Sequence, residues 1–342
     1  MEKRFLIHRW LGPDRQSIPI YDEASVSSAR QRVRDAGQAF NGSKALIESV
    51  ALIASELTHN QLAYAKQGYF AVRPIERDNV KGLEVIAADI GPGIGKPVLT
   101  GAAPTKGSLG AGLESVLKLA DDVEIDTRAE EGLCVIARKF ESPMPSQYET
   151  AIAGTPYPGE IISGDDALHI PSDSGFLAAV CDGLGHGPEA REASSMAVTA
   201  IARNSHLALV ELVEAVNSEV AGSRGCVLAL VRFNSDRRVL QCLSAGDIRA
   251  QLYHLRDAHF FTPSQVVVGD RELLTRRLRT EEVPVAAGSV LAMFTDGLES
   301  KTSIKGQLDL LRRPVLVIAQ HLLENHSRGT DDALVFVARF KK

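Results

Sequence analysis

The segment FLAAVCDGLGHGPEA, residues 176–190, is the part of the sequence that decides the fold of the second half of the chain. Six mostly apolar residues, 176–181, run directly into Asp182 and Gly183, and a helix-forming segment follows Gly187. This pattern predicts a buried strand that ends at a carboxylate. For one such pair alone, a tight Asp-Gly turn is the simpler interpretation, since both residues tolerate positive φ.

Three further acidic points stand next to predicted strands. They are Asp296, directly after the apolar run of VLAMFTDGLES (290–300); Asp331 and Asp332, directly before the apolar run 333–340; and Asp165 and Asp166, between the strand-like segments GEIIS and ALHI. Strands that run in opposite directions bring the end of one beside the start of another. We therefore expect all four acidic points to meet at one edge of a sheet.

The chemistry of such a cluster favours a metal site. Buried carboxylates raise one another's pKa unless cations neutralise them. Oxygen ligands without paired histidines or cysteines favour Mg²⁺ or Mn²⁺ over zinc. Two such ions that share a bridging carboxylate would activate a water for attack on a phosphoryl group. The second half is therefore predicted to hydrolyse phosphate esters.

Four motifs in this half resemble, in the same order, those of the PPM family of metal-dependent serine/threonine phosphatases. They are SGDD (163–166), DGLGHG (182–187), TDGLES (295–300) and TDDALVF (330–336). The SpoIIE and RsbX branch is the most similar. The resemblance implies an α-β-β-α sandwich that holds two Mn²⁺ or Mg²⁺ ions.

Carried over by position, this resemblance assigns a role to each matching residue. Asp182 would be the catalytic ligand that bridges both ions, and Gly183 would offer its backbone carbonyl. Asp165 matches a ligand of one ion, whereas Asp296 and Asp331 match ligands of the other. Leu334 stands where the family usually has Thr or Ser, a departure that affects local hydrogen bonding.

The composition is that of an ordinary soluble protein with room for two domains. The 342 residues are 44% hydrophobic and 24% charged, and the net charge of −5 gives no argument for nucleic acid or membrane binding. No segment has the length of a membrane helix, and the N-terminus is too short in apolar residues for a signal peptide. Four widely spaced cysteines in apolar runs indicate buried thiols in a reducing cytosol.

The first half predicts alternating strands and helices. Residues 1–21 favour one or two short strands around a Gly-Pro break. Two helices follow, one capped by Asp22 and one capped by Ser43 that continues to Gly68. The remaining predicted elements are strands at about 69–76 and 82–90, a glycine-rich loop at 91–108, a helix from Leu113 to Leu119, and strands near 123–128 and 132–139.

Two features of this half indicate nucleotide chemistry. Glu56 and Asn60 lie four residues apart on one helical face, where they could hold Mg²⁺ and orient a hydroxyl nucleophile. Alone, the pair would be read as a solvated polar stripe. The glycine-rich loop could let backbone N–H groups approach phosphates, or it could be a mobile surface connection.

The segments SELTHNQLAYA, DIGPGI and KGSLGAGLESVLKLADDVEI resemble the GHKL ATP-binding fold, most closely serine kinases of the RsbT and RsbW type. This resemblance covers about residues 18–140 and implies an α/β sandwich that binds ATP with Mg²⁺. Glu56 matches the general base, Asn60 the magnesium ligand, and Asp89 the residue that reads the adenine amino group. The positions that enclose the nucleotide are Gly91, Gly93, Lys106, Gly107, Gly110 and Gly112. Ile90 stands where a polar residue is common, which predicts a drier surrounding for adenine.

The rest of the second half predicts helices at about 188–203, 208–221 and 313–325. It also predicts a meander of strands at 226–233, 239–245 and 249–255. These elements favour two antiparallel sheets packed face to face and flanked by helices.

The two prolines of ESPMPS, residues 141–146, predict a linker. It would join an ATP-binding domain, 1–140, to a phosphatase domain, 147–342, in an α+β protein of two domains.

The two resemblances together imply a cytoplasmic regulator of a bacterial stress or sigma-factor pathway. Its two heads would add phosphate to and remove phosphate from Ser or Thr of STAS-domain proteins of the RsbS and RsbR kind, or of anti-sigma antagonists. In the alternative hypothesis, the first domain is a non-catalytic module that senses nucleotide or docks a partner.

Overall fold

The computed structural model describes residues 4–12, 16–65, 67–94, 109–144, 146–270 and 278–341. The chain divides into two compact units, residues 1–149 and 150–342. None of the described helices combines the length and the apolar character that a membrane span requires. The protein has the expected α+β class.

The first unit is built on an antiparallel sheet with the strand order β1-β2-β3-β5-β4. Its strands are β1 (Ile18–Ile20), β2 (Gly68–Arg77), β3 (Val80–Asp89), β4 (Asp122–Arg128) and β5 (Gly132–Phe140). Its helices are α1 (Arg4–Leu11), α2 (Glu23–Ala39), α3 (Lys44–Asn60) and α4 (Leu109–Leu119). The predicted caps are confirmed: the Asp22 side chain accepts from the Ser25 N–H, and the Ser43 side chain accepts from the Leu46 N–H.

The strand predicted around Phe5 to Ile7 is wrong, because residues 4–11 form helix α1. Ile7, Trp10 and Leu11 recur at helical spacing and pack in one cluster with strand residues such as Ile86. The buried Trp10 indole donates a hydrogen bond to Asp126 over 3.0 Å. A strand would have sent adjacent side chains of this segment to opposite faces.

Two other boundaries in this unit differ from the prediction. Helix α3 ends at Asn60, and residues Gln61–Ala65 form a π-helical turn instead of continuing the α-helix. Helix α4 begins at Leu109, four residues before the predicted start, so Gly110 and Gly112 lie in a helix. Helical packing therefore tolerates these glycines despite their low intrinsic propensity.

The second unit contains two five-stranded sheets. One has the order β6-β15-β14-β11-β12 and the other has the order β13-β10-β9-β8-β7. The strands are β6 (Tyr148–Thr155), β7 (Asp165–Ser172), β8 (Gly175–Gly183), β9 (Cys226–Asn234), β10 (Val239–Ala245), β11 (Arg249–His254), β12 (Asp257–Phe260), β13 (Glu281–Pro284), β14 (Val290–Phe294) and β15 (Ala333–Phe340). The helices are α5 (Pro188–Arg203), α6 (Leu209–Val220), α7 (Leu308–Leu311) and α8 (Val315–His326).

Alternation along β8 explains how these sheets pack. Phe176 stacks on Phe340 of the other sheet, with ring centroids 6.1 Å apart. Leu177 and Cys181 point the opposite way, into the apolar cluster formed with α5 and α6. Helix α8 covers β15 on the outside of the other sheet. The expected α-β-β-α sandwich is therefore confirmed.

Two expectations for this unit are wrong, and one strand was not predicted. The segment GEIIS forms no strand, so Asp165 and Asp166 begin β7 instead of separating two strands. Strand β6 was not predicted. The proposed meander ends at β10, because β11 pairs with β14 in the other sheet. This change of sheet depends on tertiary packing, which local periodicity does not record.

Candidate functional site

Two acidic residues face each other where β7 begins and β8 ends. Asp165 is directly opposite Asp182 in the antiparallel register, so both side chains lie on the same face. By alternation, Asp182 shares the face of Phe176, between the two sheets, whereas Cys181 points into the helix layer. Asp166 also points toward the helices, where its carboxylate accepts from the Ser195 hydroxyl.

The other sheet delivers its acidic residues in the same way. Phe294 pairs with Val335, and beyond them the Thr295 N–H donates to the Leu334 carbonyl over 3.1 Å. Asp296 therefore follows the end of β14 beside the start of β15, which Asp331 and Asp332 precede. The four strand ends come together, with Thr295 donating a hydrogen bond to Asp165 over 2.7 Å from the opposite sheet.

The carboxylates act on one another electrostatically. Burial raises the pKa of Asp182 well above its ordinary value, and the charges of Asp165, Asp296, Asp247 and Asp331 raise it further. Burial also raises the pKa of Asp165, opposed by the Thr295 hydrogen bond. The site thus concentrates negative charge on carboxylates that are buried or half-buried.

The two Asp-Gly pairs serve close packing, not turns with positive φ. Neither Gly183 nor Gly297 has a positive φ. A Cβ at position 183 would lie 1.9 Å from the Ala190 carbonyl oxygen, and one at position 297 would lie 1.8 Å from the Asp332 carbonyl oxygen. Only glycine lets the backbone come this close. The simpler turn interpretation is therefore wrong for Asp182-Gly183, which lie within β8. Asp296 and Gly297 do lie in a turn, in which the Leu298 N–H donates to the Thr295 carbonyl over 3.2 Å.

Asp332 differs from the other carboxylates because both of its oxygens accept hydrogen bonds from backbone N–H groups. Its Oδ1 accepts from the Tyr157 N–H over 2.7 Å, and its Oδ2 accepts from the Gly164 N–H over 2.9 Å. Burial raises its pKa, and these two hydrogen bonds oppose the rise. Asp332 thus attaches the segment that leads into Asp165 to the start of β15.

The donor set fits a hard divalent cation. Within the described ranges, no three His, Cys, Asp or Glu side chains converge as a preformed metal cluster. Asp165, Asp182 and Asp296 nevertheless supply oxygen donors, and the charge of Asp296 raises the pKa of the other two. A bound cation would remove that repulsion and favour the ionised carboxylates.

The first unit gathers a second group of polar residues around α3. Glu56 and Asn60 lie on this helix, and Gly112 of α4 packs against both. A Cβ at position 112 would lie 3.0 Å from Glu56 Oε2 and 3.2 Å from Asn60 Nδ2. A side chain larger than glycine would therefore press on both polar groups.

Asp89 ends β3 beside the glycine-rich segment. Its Oδ1 accepts from the Gly91 N–H over 2.9 Å. Burial raises its pKa to about 6, although hydrogen bonds from the backbone of Gly91 and Leu133 oppose the rise. Gly93 has a φ of +74°, a conformation that favours glycine. Lys106 and Gly107 lie outside the described residues, so the phosphate-binding part of the predicted loop stays a prediction.

Gln61 links these two groups, and the sequence reasoning missed it. Its side chain is 2% exposed, and its amide nitrogen donates to the carbonyls of Tyr69 and Ala88, each over 3.1 Å. The residue after Asn60 thus connects the end of α3 to the β2–β3 ladder next to Asp89. Ile90 packs in the cluster under α1, which gives a structural reason for an apolar residue there.

Comparisons with known proteins match both units. The family model for Stage II sporulation protein E (SpoIIE) matches residues 172–341, and that for the histidine kinase-like ATPase domain matches residues 21–139. The serine/threonine-protein kinase RsbT of Bacillus subtilis (strain 168) is 31% identical over 129 residues, which cover 37% of this chain and 97% of the relative. The chain joins an RsbT-type ATPase domain to a SpoIIE domain.

Two further known proteins are similar to this chain. The phosphoserine phosphatase RsbX of Bacillus subtilis (strain 168) is 29% identical over 141 residues, covering 41% of this chain and 69% of the relative. A chain solved in a study of the bacterial stressosome, a modular system adapted to control secondary messenger signalling, has 25% identity and a TM-score of 0.53. The match covers 57% of this chain and 100% of the solved chain.

Two residues of the SpoIIE domain were not predicted from the sequence, although one hydrogen-bonds to a carboxylate of the site and the other raises the pKa of two. Thr295 precedes Asp296, and its hydroxyl both donates to Asp165 and accepts from the Leu334 N–H over 3.0 Å. Asp247 follows β10 and raises the pKa of Asp182 and Asp296. Thr295 could have been found from its place in the TDGLES motif. For Asp247 the sequence showed only a Gly-Asp turn, which does not indicate a role in the site.

Asp89→Asn in the ATPase domain should separate stability from nucleotide binding. The pKa of Asp89 rises from 3.8 to about 6 in the folded state, so the folded state binds more protons and its free energy of unfolding falls as pH rises through this window. Asn avoids this loss. The stability of the variant relative to wild type should therefore increase by about 2 kcal/mol between pH 4.5 and 7.5, while ATP affinity at pH 7.5 falls at least about tenfold.

Urea unfolding followed by the fluorescence of Trp10, the single tryptophan, reports on the first unit, and calorimetric titration gives the ATP affinity. Asp35→Asn, at an exposed position on α2, is the control and should change neither quantity. A stability difference between Asp89→Asn and wild type that does not vary with pH would contradict the role given to burial.

Thr295→Val in the SpoIIE domain should weaken the site without changing side-chain size. It leaves an Asp165 oxygen and the Leu334 N–H without their hydroxyl partner, which should cost about 1–3 kcal/mol of stability. Mn²⁺ affinity should fall roughly tenfold, since the orientation of Asp165 is lost. Thermal unfolding and Mn²⁺ titration measure the two effects. Thr295→Ser keeps the hydroxyl and should restore both, and a Val variant equal to Ser would refute the role of the hydroxyl.

Proposed function

We propose that the protein is a bifunctional regulator of a bacterial stress or sigma-factor pathway. Its SpoIIE domain removes phosphate from phosphoserine or phosphothreonine of STAS-domain proteins, and its ATPase domain phosphorylates the same class of protein. The observation that carries the phosphatase half is the set of carboxylates Asp165, Asp182 and Asp296 at the meeting ends of four strands, where burial raises the pKa of all three. The similarity to a kinase and a phosphatase supports the pairing.

In the proposed phosphatase, Asp182 would hold both Mn²⁺ or Mg²⁺ ions, and Gly183 would contribute its backbone carbonyl. Asp165 would hold one ion, and Asp296 and Asp331 would hold the other. The ions, when bound, supply an activated water and offset charge on the phosphoryl oxygens. The chain itself orients these ligands, since Thr295 holds Asp165 by a hydrogen bond.

In the proposed kinase, Glu56 accepts the proton of the substrate hydroxyl, and Asn60 holds the Mg²⁺ that accompanies ATP. Asp89 accepts a hydrogen bond from the adenine amino group, which suits a buried carboxylate at the end of β3. The residues proposed to enclose the nucleotide are Gly91, Gly93, Lys106, Gly107, Gly110 and Gly112. Gln61 keeps α3 and the end of the β2–β3 ladder together.

The proposed domains are residues 1–140 and 147–342, joined by 141–146, in a cytoplasmic protein. Proteins of the RsbS and RsbR kind, or anti-sigma antagonists, are the proposed partners. Covalent linkage of the two heads raises the local concentration of each near a shared partner. Nucleotide or partner binding would then set the balance between phosphate addition and removal.

A second candidate keeps the phosphatase and makes the ATPase domain a non-catalytic module that senses nucleotide or docks a partner. The packing of Gly112 against Glu56 favours it, because α4 covers one side of that carboxylate. The two candidates differ in whether phosphate is transferred from ATP.

Mn²⁺-dependent hydrolysis of an aryl phosphate tests the phosphatase. Asp182→Asn should reduce kcat at least about a hundredfold, as expected when a charged group at the reacting centre is removed. Asp173→Asn is the matched control, because Asp173 is exposed at the far end of the β7–β8 hairpin. Equal rates in wild type and Asp182→Asn would exclude the proposed metal centre.

Labelled ATP and an unphosphorylated STAS protein test the kinase, in an Asp182→Asn background that prevents removal of the product. Glu56→Ala should abolish phosphate transfer while ATP affinity stays within about twofold, since a general base acts on the chemical step. Glu48→Ala, exposed on the same helix, is the control. ATP binding without any transfer by the parent protein would favour the non-catalytic module.

A further inference from the structure

The end of α8 is attached to the segment that follows Asp296. The Arg328 N–H donates to the Gly297 carbonyl over 2.8 Å, and the Glu299 N–H donates to the His326 carbonyl over 2.8 Å. Leu298 and Ser327 form an isolated antiparallel bridge between these contacts. These contacts place the backbone of Arg328 beside Gly297, the residue that follows Asp296.

A defined turn then leads from Arg328 to Asp331. Gly329 has a φ of +66°, and its N–H donates to the Ser327 hydroxyl over 3.2 Å. Arg328 is exposed to solvent. Its backbone lies beside Gly297, the residue that follows Asp296. The Arg328 side chain therefore starts next to the acidic site and is accessible to a substrate.

The charge of the site creates a need for such a cation. Asp165 and Asp182 lie opposite each other where β7 begins and β8 ends, and the Thr295 hydrogen bond brings the end of β14, which Asp296 follows, to the same place. A phosphomonoester approaching at neutral pH carries close to two further negative charges. A fixed positive charge beside the metal ligands would offset this repulsion.

We propose that Arg328 binds the phosphoryl group of the substrate at the entrance to the SpoIIE site. A planar guanidinium can donate two parallel hydrogen bonds to two phosphoryl oxygens, which a point charge does less well. This assignment rests on the proposed phosphatase function. It makes Arg328 a substrate-binding residue for any phosphomonoester, whatever the protein that carries it.

The test compares the full chain and its Arg328→Gln, Arg328→Lys and Arg256→Gln variants in Mn²⁺. Arg256 follows β11 at the end of the sheet opposite to the Arg249–Phe294 pair, so it controls for loss of an exposed arginine. Arg328→Gln should raise KM about tenfold for both a phosphoserine peptide and an aryl phosphate, with kcat within about twofold. Arg328→Lys should recover part of the loss, and Arg256→Gln should match wild type.

Calorimetric titration of inorganic phosphate into the Mn²⁺-loaded proteins gives a reading that needs no turnover, and Arg328→Gln should weaken this binding by a similar factor. Unchanged KM and phosphate affinity would overturn the assignment while leaving the phosphatase intact. A lower kcat with unchanged KM would also overturn it, because the residue would then act on the metal ligands. A wild type without hydrolysis would remove the proposed function, and the phosphate titration alone would then decide about Arg328.

Discussion

The hydrogen bond from the Thr295 hydroxyl to Asp165 joins the two sheets of the SpoIIE domain at their acidic ends. Thr295 follows β14 of one sheet, whereas Asp165 begins β7 of the other. The bond brings a buried carboxylate from one layer to the residues that surround Asp296 in the other layer. Each of the other features of the site depends on this closeness of the two sheets.

The closeness has an electrostatic cost. Asp165 and Asp182 lie directly opposite each other, the first buried and the second half-buried, and burial and neighbouring charge raise the pKa of both. An apolar pair there would stabilise the sandwich better, since buried like charges are unfavourable. Such local conflict with stability is typical of functional sites. Gly183 and Gly297 permit it by letting neighbouring backbone approach where any Cβ would overlap.

Much of this arrangement could be predicted because it is local. An apolar strand that ends at a carboxylate, or a helix that begins after Asp22 or Ser43, is visible in a few consecutive residues. Helix α1 was not predicted, because a short apolar run such as FLI fits either a strand or a helix. The move of β11 to the second sheet and the contacts of Gln61 involve partners distant in sequence, so no local pattern could record them.

The link between Thr295 and Leu334 explains how the chain tolerates an apolar residue near its last acidic pair. The Thr295 hydroxyl, at the end of the neighbouring strand, accepts a hydrogen bond from the Leu334 N–H. The Leu334 side chain itself is buried in the core. A side chain without a hydroxyl at 295 would therefore leave partners unpaired in both sheets at once, so the choice of this one residue affects both layers.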